Sequence, residues 1–227
     1  MDVKDKTKAA TYADNSEKIV QVGDKFSTFL WNTTLGIRMA VLHTSFVNGI
    51  KTGKLDPVKF GAFNVQDAIY LYKQQQNIAT AAKKAKDKYE KQYDYLEPRI
   101  ETYKGLYEEE FKKWHIKSAD AIELGQAVKG YTEYEEKVAL TKESIYFLIA
   151  MCPCLKLWPW VGQQIAGGDF GVYKKWAASN FDPTYIGYTK VDDLIDQAFE
   201  EGMINQVEAE AIYTRCMEGE RDFFNSV

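Results

Sequence analysis

The chain has 227 residues, a formal charge of −4 and 45% hydrophobic residues, which suits one domain with a sizeable core. The charge argues against an electrostatic grip on nucleic acid or an anionic membrane, and the five prolines and 14% aromatics describe an ordinary globular protein. The polar start, Met1-Asp2-Val3-Lys4, is unlike a secretory signal, no apolar run reads as a bilayer span, and three cysteines make no even disulfide framework. A cytoplasmic protein with reduced thiols is expected.

Apolar residues recur at helical spacing and alternating strand patterns are nearly absent. The expected fold is therefore all-α, a single-domain helical bundle over residues 15–227 behind a polar lead-in over 1–14. A first helix over 16–49, broken near Asn32, ends at the glycine turn of Gly49 and Gly53. Asp56-Pro57 joins a capping side chain to a proline at the first helical position. The helix it opens carries Phe60, Phe63, Asp67, Tyr70 and Leu71 and reaches Lys86. Residues 88–116 are rich in Glu and Lys and read as a solvated helix that Pro98 kinks or divides. Ser118, Asp120 and Glu123 predict a cap and acidic first turn for a helix running through Tyr131 and Tyr134. The strongest core segment spans 143–165 and stops at Gly167-Gly168. A short helix over 172–179, a loop over 180–188 and helices over 191–201 and 205–224 complete the chain.

Three of these helices each carry one polar group on an otherwise apolar face, which is how a pocket is built inside a bundle. Cys154 is the candidate nucleophile, since a thiolate attacks electron-poor carbon; as a residue type, free cysteine is as readily a small buried hydrophobe. Cys152 and Cys154 have no second ligand pair, so no metal site is expected. Asp67 lies among Phe63, Val65, Ile69 and Leu71, where a carboxylate requires a structural partner or a ligand. Tyr70 could bind the same ligand or simply pack. Glu220, taken alone with Glu218 and Asp222 nearby, reads as an exposed helix-end acid. His43 and His115 are the only histidines and neither forms the Glu-x-x-His pair of a di-iron bundle.

Five segments in order resemble the TenA/THI-4 family, the thiaminase II group of the haem-oxygenase-like fold. They are residues 42–55 with their glycine turn, Phe63-Asn64-Val65-Gln66-Asp67-Ala68-Ile69-Tyr70-Leu71, Gly130-Tyr131-Thr132-Glu133-Tyr134, Pro153-Cys154 with Gly162, and Glu220-Arg221-Asp222-Phe223-Phe224. The resemblance implies a hydrolase that releases hydroxymethylpyrimidine from an aminopyrimidine. Asp67 would hold the ring nitrogen and exocyclic amine, Cys154 would add to the pyrimidine, and Glu220 would protonate the leaving group and activate water. Tyr70, Tyr131 and Phe63 would shape the pocket. It further implies a homo-oligomer, tetramer or dimer, working without cofactor or metal on a small planar heterocycle. Two pocket positions depart from the pattern: Trp158 stands where tyrosine is usual, with Pro159 after it expected to disturb the helix, and Asn180 where another pocket tyrosine is common; Phe224 also stands where Trp is usual. They leave a second reading, a repurposed protein that binds or converts a different heterocycle.

Overall fold

A computed structural model describes residues 25–227; the expected lead-in over 1–14 and the start of the first helix lie outside the described residues. Among those described the chain is all helical, with ten α-helices and no strands. The stretch expected as one broken helix is three: α1 (Phe26–Thr33), α2 (Leu35–Val41) and α3 (Ser45–Thr52). Thr34 makes the first break, its hydroxyl donating to Trp31 O at 3.0 Å. Thr44 makes the second, its Oγ1 capping α3 by accepting from Val47 N at 3.3 Å.

The signal at Asp56-Pro57 works as read. Asp56 Oδ1 accepts from Val58 N at 2.7 Å and opens α4 (Pro57–Ala85), roughly 43 Å of helix at 1.5 Å per residue. Helix α5 (Glu90–Lys113) folds back along it, and Pro98 sits inside α5 without dividing it. Asp94 and Pro98 are exposed, so the carbonyl that loses its helical partner faces solvent. The start of α6 (Gln126–Thr141) falls eight residues after the expected Ser118 cap, because residues 119–121 form only a 3₁₀ turn. A tertiary contact sets that start: Gln66 of α4 accepts from Gly125 N at 2.8 Å and donates to Glu123 O at 3.0 Å.

Helix α7 (Ser144–Gln164) is the axis, touching α4, α6, α8 (Lys174–Asn180), α9 (Thr189–Glu200) and α10 (Gln206–Phe224). Its length and apolarity would suffice to cross a bilayer, contrary to the sequence expectation, but 78% of its apolar window is buried among its neighbours. Pro153 and Pro159 lie within α7, both buried. The disturbance expected at Pro159 does not end the helix, because burial on every side holds the segment helical.

Close approach fixes Gly162. A Cβ there would sit 1.9 Å from Phe181 O, the residue that closes α8. Gly162→Ala should therefore lower stability by about 2–3 kcal/mol, as overpacking does, read from the denaturant midpoint. Gly105→Ala in α5 is the control, since its Cβ meets nothing within 4 Å; an equal effect of both would contradict the packing argument.

Candidate active site

Helical periodicity sorts the polar residues of α7 onto two faces. Cys152 and Lys156, four residues apart, turn to α9: Lys156 Nζ donates to Asp192 at 2.8 and 3.0 Å, and Cys152 Sγ lies 3.6 Å from the same carboxylate. Cys154 and Trp158, offset by half a turn, face α4, α6 and α10. The two cysteines two residues apart thus serve different neighbourhoods and form no pair.

On the inner face the side chains converge. Glu220 of α10 is 1% exposed; its Oε1 accepts from Tyr131 Oη at 2.9 Å and its Oε2 from Trp158 Nε1 at 3.1 Å. Tyr131 reaches it because Gly219 leaves room for the ring: a Cβ at Gly219 would meet Tyr131 Cδ2 at 2.5 Å. Tyr70 stacks on Tyr131 with ring centroids 5.3 Å apart. Its hydroxyl accepts from Gln74 Nε2 at 2.9 Å and lies 3.4 Å from both Tyr131 Oη and Glu135 Oε1. The Cys154 thiol, half-buried, is within hydrogen-bonding reach of Glu220 and Tyr70. Asp67 completes the outer layer, also half-buried, with no hydrogen bond or ion pair to any other described residue. Of the two alternatives for Asp67, a structural partner or a ligand, the structure supplies no partner.

Phe63 forms the apolar floor, stacked on Phe46 at 3.8 Å and on Phe223 at 4.4 Å, with Trp158 at 6.2 Å. Trp158 also rests on Phe224 at 5.0 Å, so the tryptophan is both a wall and a donor to Glu220. Asn180, half-buried at the end of α8, donates from its Nδ2 to Trp176 O at 2.9 Å. From α8 it is Trp176 that reaches the site wall, donating to Asn64 Oδ1 at 2.8 Å and packing on Phe63.

The sequence reading missed Glu135, Gln74 and Tyr103. Glu135 stands in a charged run, Glu133-Tyr134-Glu135-Glu136-Lys137, yet it is fully buried. Tyr103 sits in the tyrosine-studded α5, taken as solvated, and lies within electrostatic range of Cys154. The one available signal was spacing: Tyr131 and Glu135 stand at i and i+4, as do Tyr70 and Gln74.

Three carboxyl groups therefore surround one thiol with scarcely a cation. Burial pushes Glu220 up to about 7, against the pull of hydrogen bonds from Tyr131, Trp158 and Cys154. Burial, then Glu220 and Glu110, pushes Asp67 up to about 8, with Lys113 opposing. Glu135 and the Cys154 thiol are held well above their ordinary values, by burial first and Glu220 second. Near neutral pH the cluster carries one negative charge at most, and Glu220 ionises first. Among the described residues no three His, Cys, Asp or Glu side chains are grouped to hold a metal ion.

The fold and this buried cluster of a thiol, phenols and carboxyl groups define a helical-bundle protein with a polar centre. The chain belongs to the TENA/THI-4/PQQC family, whose model matches residues 35–226. The structure is similar to that of a TenA family transcription regulator from Silicibacter sp. TM1040 (17% identity, 88% of this chain and 95% of that one, TM-score 0.76). It is also similar to a TenA homologue from P. horikoshii OT3 (17% identity, 88% and 97%, TM-score 0.74). A third is a protein from Sulfolobus solfataricus P2, provisionally described as a TenA-like thiaminase (21% identity, 87% and 93%, TM-score 0.64). At these identities the likeness shows the fold. No curated protein matches the sequence.

Asp67 offers the cleanest pH test because its removal breaks no hydrogen bond. Its folded value lies above its unfolded one, so its contribution to stability is fully present below about pH 4 and lost as pH rises through about 8. Asp67→Asn removes that titration. The variant should gain on wild type between pH 5 and pH 8 in urea unfolding, by at most about 1.4 kcal/mol per pH unit; a difference independent of pH would contradict the assignment.

Proposed function

We propose that the protein is a thiaminase II-like hydrolase, releasing hydroxymethylpyrimidine from an aminopyrimidine through Cys154 and Glu220. The observation that carries this reading is the cluster in which a thiol and a carboxyl held at about 7 lie within electrostatic range of a carboxyl that has no hydrogen-bond partner. As a neutral acid, Asp67 offers one O–H donor and one carbonyl acceptor. That pair complements a ring nitrogen beside an exocyclic amine, the edge an aminopyrimidine presents. The acid-rich, cation-poor wall favours a substrate carrying an amine that can donate hydrogen bonds to the carboxyl groups. Phe63 and Tyr70 supply flat apolar surface for the ring.

The chemistry follows from which group holds a proton. Cys154 rests as a thiol, and Glu220, ionised first, is the base within reach of it. As sulfur bonds to the electron-poor ring carbon, the thiol proton passes to Glu220. The carboxylic acid then protonates the departing nitrogen as its bond to carbon breaks, and ammonia leaves. Water adds to the exposed methylene carbon, giving its proton to Glu220. The carbon–sulfur bond breaks and the thiolate recovers the proton, so the net reaction exchanges an amine for a hydroxyl with water consumed. Tyr131 and Trp158 hold Glu220 by separate oxygens, which fixes the carboxyl plane while its charge changes. The same reading places the protein in the cytoplasm as a homo-oligomer, without cofactor.

Trp158 favours a second reading, in which the site serves another planar heterocycle. Its indole fills space that a phenol would leave and offers a donor but no acceptor. The assay that decides between them incubates purified protein with aminopyrimidine, formylaminopyrimidine and thiamin and follows products by mass spectrometry. Wild type should release hydroxymethylpyrimidine. Cys154→Ser should abolish release, and Glu220→Gln should slow it by roughly 10²–10⁴-fold. No turnover of any of the three by wild type would overturn the hydrolase reading in favour of the second.

A further inference from the structure

We propose that Glu135 is a positioning residue of this site, a neutral hydrogen-bonding strut that leaves the Tyr70 hydroxyl free to turn to the Cys154 sulfur during reaction. The inference rests on the hydrolase reading for its consequence but on local geometry for its argument. Glu135 projects from α6 one turn after Tyr131 and is 0% exposed. Within hydrogen-bonding or electrostatic range of it are Tyr70 and Gln74 from α4, Tyr103 from α5, Tyr131 from its own helix, Cys154 from α7, and Cys216 and Glu220 from α10. None of these is a cation. An ionised Glu135 would be a buried charge with no counter-charge and with Glu220 beside it, an arrangement that costs several kcal/mol.

Hydrogen bonds from Gln74, Tyr131 and Tyr70 favour the carboxylate, but burial outweighs them. Glu135 Oε2 and Gln74 Oε1 are both buried acceptors without a partner, and Gln74 lies within hydrogen-bonding reach of Glu135. A proton on Glu135 would supply one further donor to this group of buried acceptors. Burial moves Glu135 in the direction of keeping that proton.

The consequence falls on Tyr70. Its one proton has three acceptors: Glu135 Oε1 and Tyr131 Oη, each at 3.4 Å, and the Cys154 sulfur. Tyr131 has already given its own proton to Glu220 at 2.9 Å. A carboxylate at position 135 would hold the Tyr70 proton in a short charge-assisted bond and repel a forming thiolate. A neutral acid holds it weakly, at the observed long distance, so the hydroxyl can swing to sulfur as charge develops there. The same strut keeps Tyr70 and Tyr131 stacked side by side.

The test compares Glu135→Gln, which keeps a neutral hydrogen-bonding group of the same shape, with Glu135→Leu, which removes it. Two readouts are taken: the pH dependence of Cys154 alkylation by iodoacetamide, located by mass spectrometry, and kcat and KM for the aminopyrimidine. Glu135→Gln should keep the wild-type alkylation profile and kcat within about threefold, since no proton is exchanged at this position. Glu135→Leu should move the alkylation profile to higher pH and lower kcat by about 30-fold, the effect of two lost hydrogen bonds of ordinary strength, with KM little changed. Glu135→Met is the substitute should the leucine variant not fold, with the same result expected.

Loss of activity in Glu135→Gln equal to that in Glu135→Leu would overturn the proposal and make Glu135 a proton-transfer group. A wild-type profile in the leucine or methionine variant would overturn it as well. If wild-type Cys154 alkylates but no pyrimidine turns over, the hydrolase reading fails, and the alkylation profiles still decide the role of Glu135.

Discussion

Three carboxyl side chains, Asp67, Glu135 and Glu220, meet inside a helical bundle with almost no cation to balance them, and the rest of the site follows from how the fold tolerates that. Burial first, and repulsion between the carboxylates second, disfavour full ionisation, so the group holds protons into the neutral range. The three are not equivalent. Glu220 receives hydrogen bonds from Tyr131, Trp158 and Cys154 and therefore ionises most readily. Asp67 receives none, and Glu135 is fully buried with Glu220 in electrostatic range. Environment, not residue type, separates a base from two acids.

Helix α7 makes the arrangement possible by carrying two unrelated polar devices on opposite faces. Toward α9, Lys156 and Asp192 form an ion pair between groups that are each well buried, with Cys152 against the same carboxylate. Toward the pocket, Cys154 and Trp158 bring a thiol and an indole to Glu220. Both faces use i, i+4 spacing, and the apolar residues between them anchor α7 to its neighbours. The Gly162 contact with Phe181 and the Gly219 contact with Tyr131 set the distances at which α8 and Tyr131 approach. Such tolerances, tighter than a methyl group, suit a site whose work depends on hydrogen bonds near 3 Å.

Much of this was legible in the sequence wherever the signal was local. The Asp56-Pro57 start, the helical periodicity of 143–165 and the placement of Cys154, Asp67, Tyr70, Tyr131 and Glu220 on inward faces needed only nearest neighbours and family order. What escaped depended on distant parts of the chain. The Ser118 cap lost to a contact made by Gln66, fifty-odd residues earlier. Pro98 and Pro159 failed to break their helices for opposite reasons, solvent on one carbonyl and burial on the other segment. Glu135 stood in the run Glu133-Tyr134-Glu135-Glu136-Lys137, where only the approach of α4 and α10 distinguishes a buried acid from its exposed neighbours. Trp176, one turn before Asn180 on α8, packs on Phe63 and Trp158 through ring contacts that no local pattern announces.

The central claim is that this carboxyl cluster carries a single ionisable charge near neutral pH and that Glu220 is where it resides. Infrared difference spectroscopy of the protonated carboxyl band, titrated from pH 5 to pH 9 in wild type and Glu220→Gln, tests it most directly. The account requires one buried carboxyl to lose its proton with a midpoint near 7, that transition to be absent in the variant, and a further protonated carboxyl to persist to the alkaline end. Loss of every protonated-carboxyl signal by pH 6 in wild type would show three independent carboxylates and contradict the account.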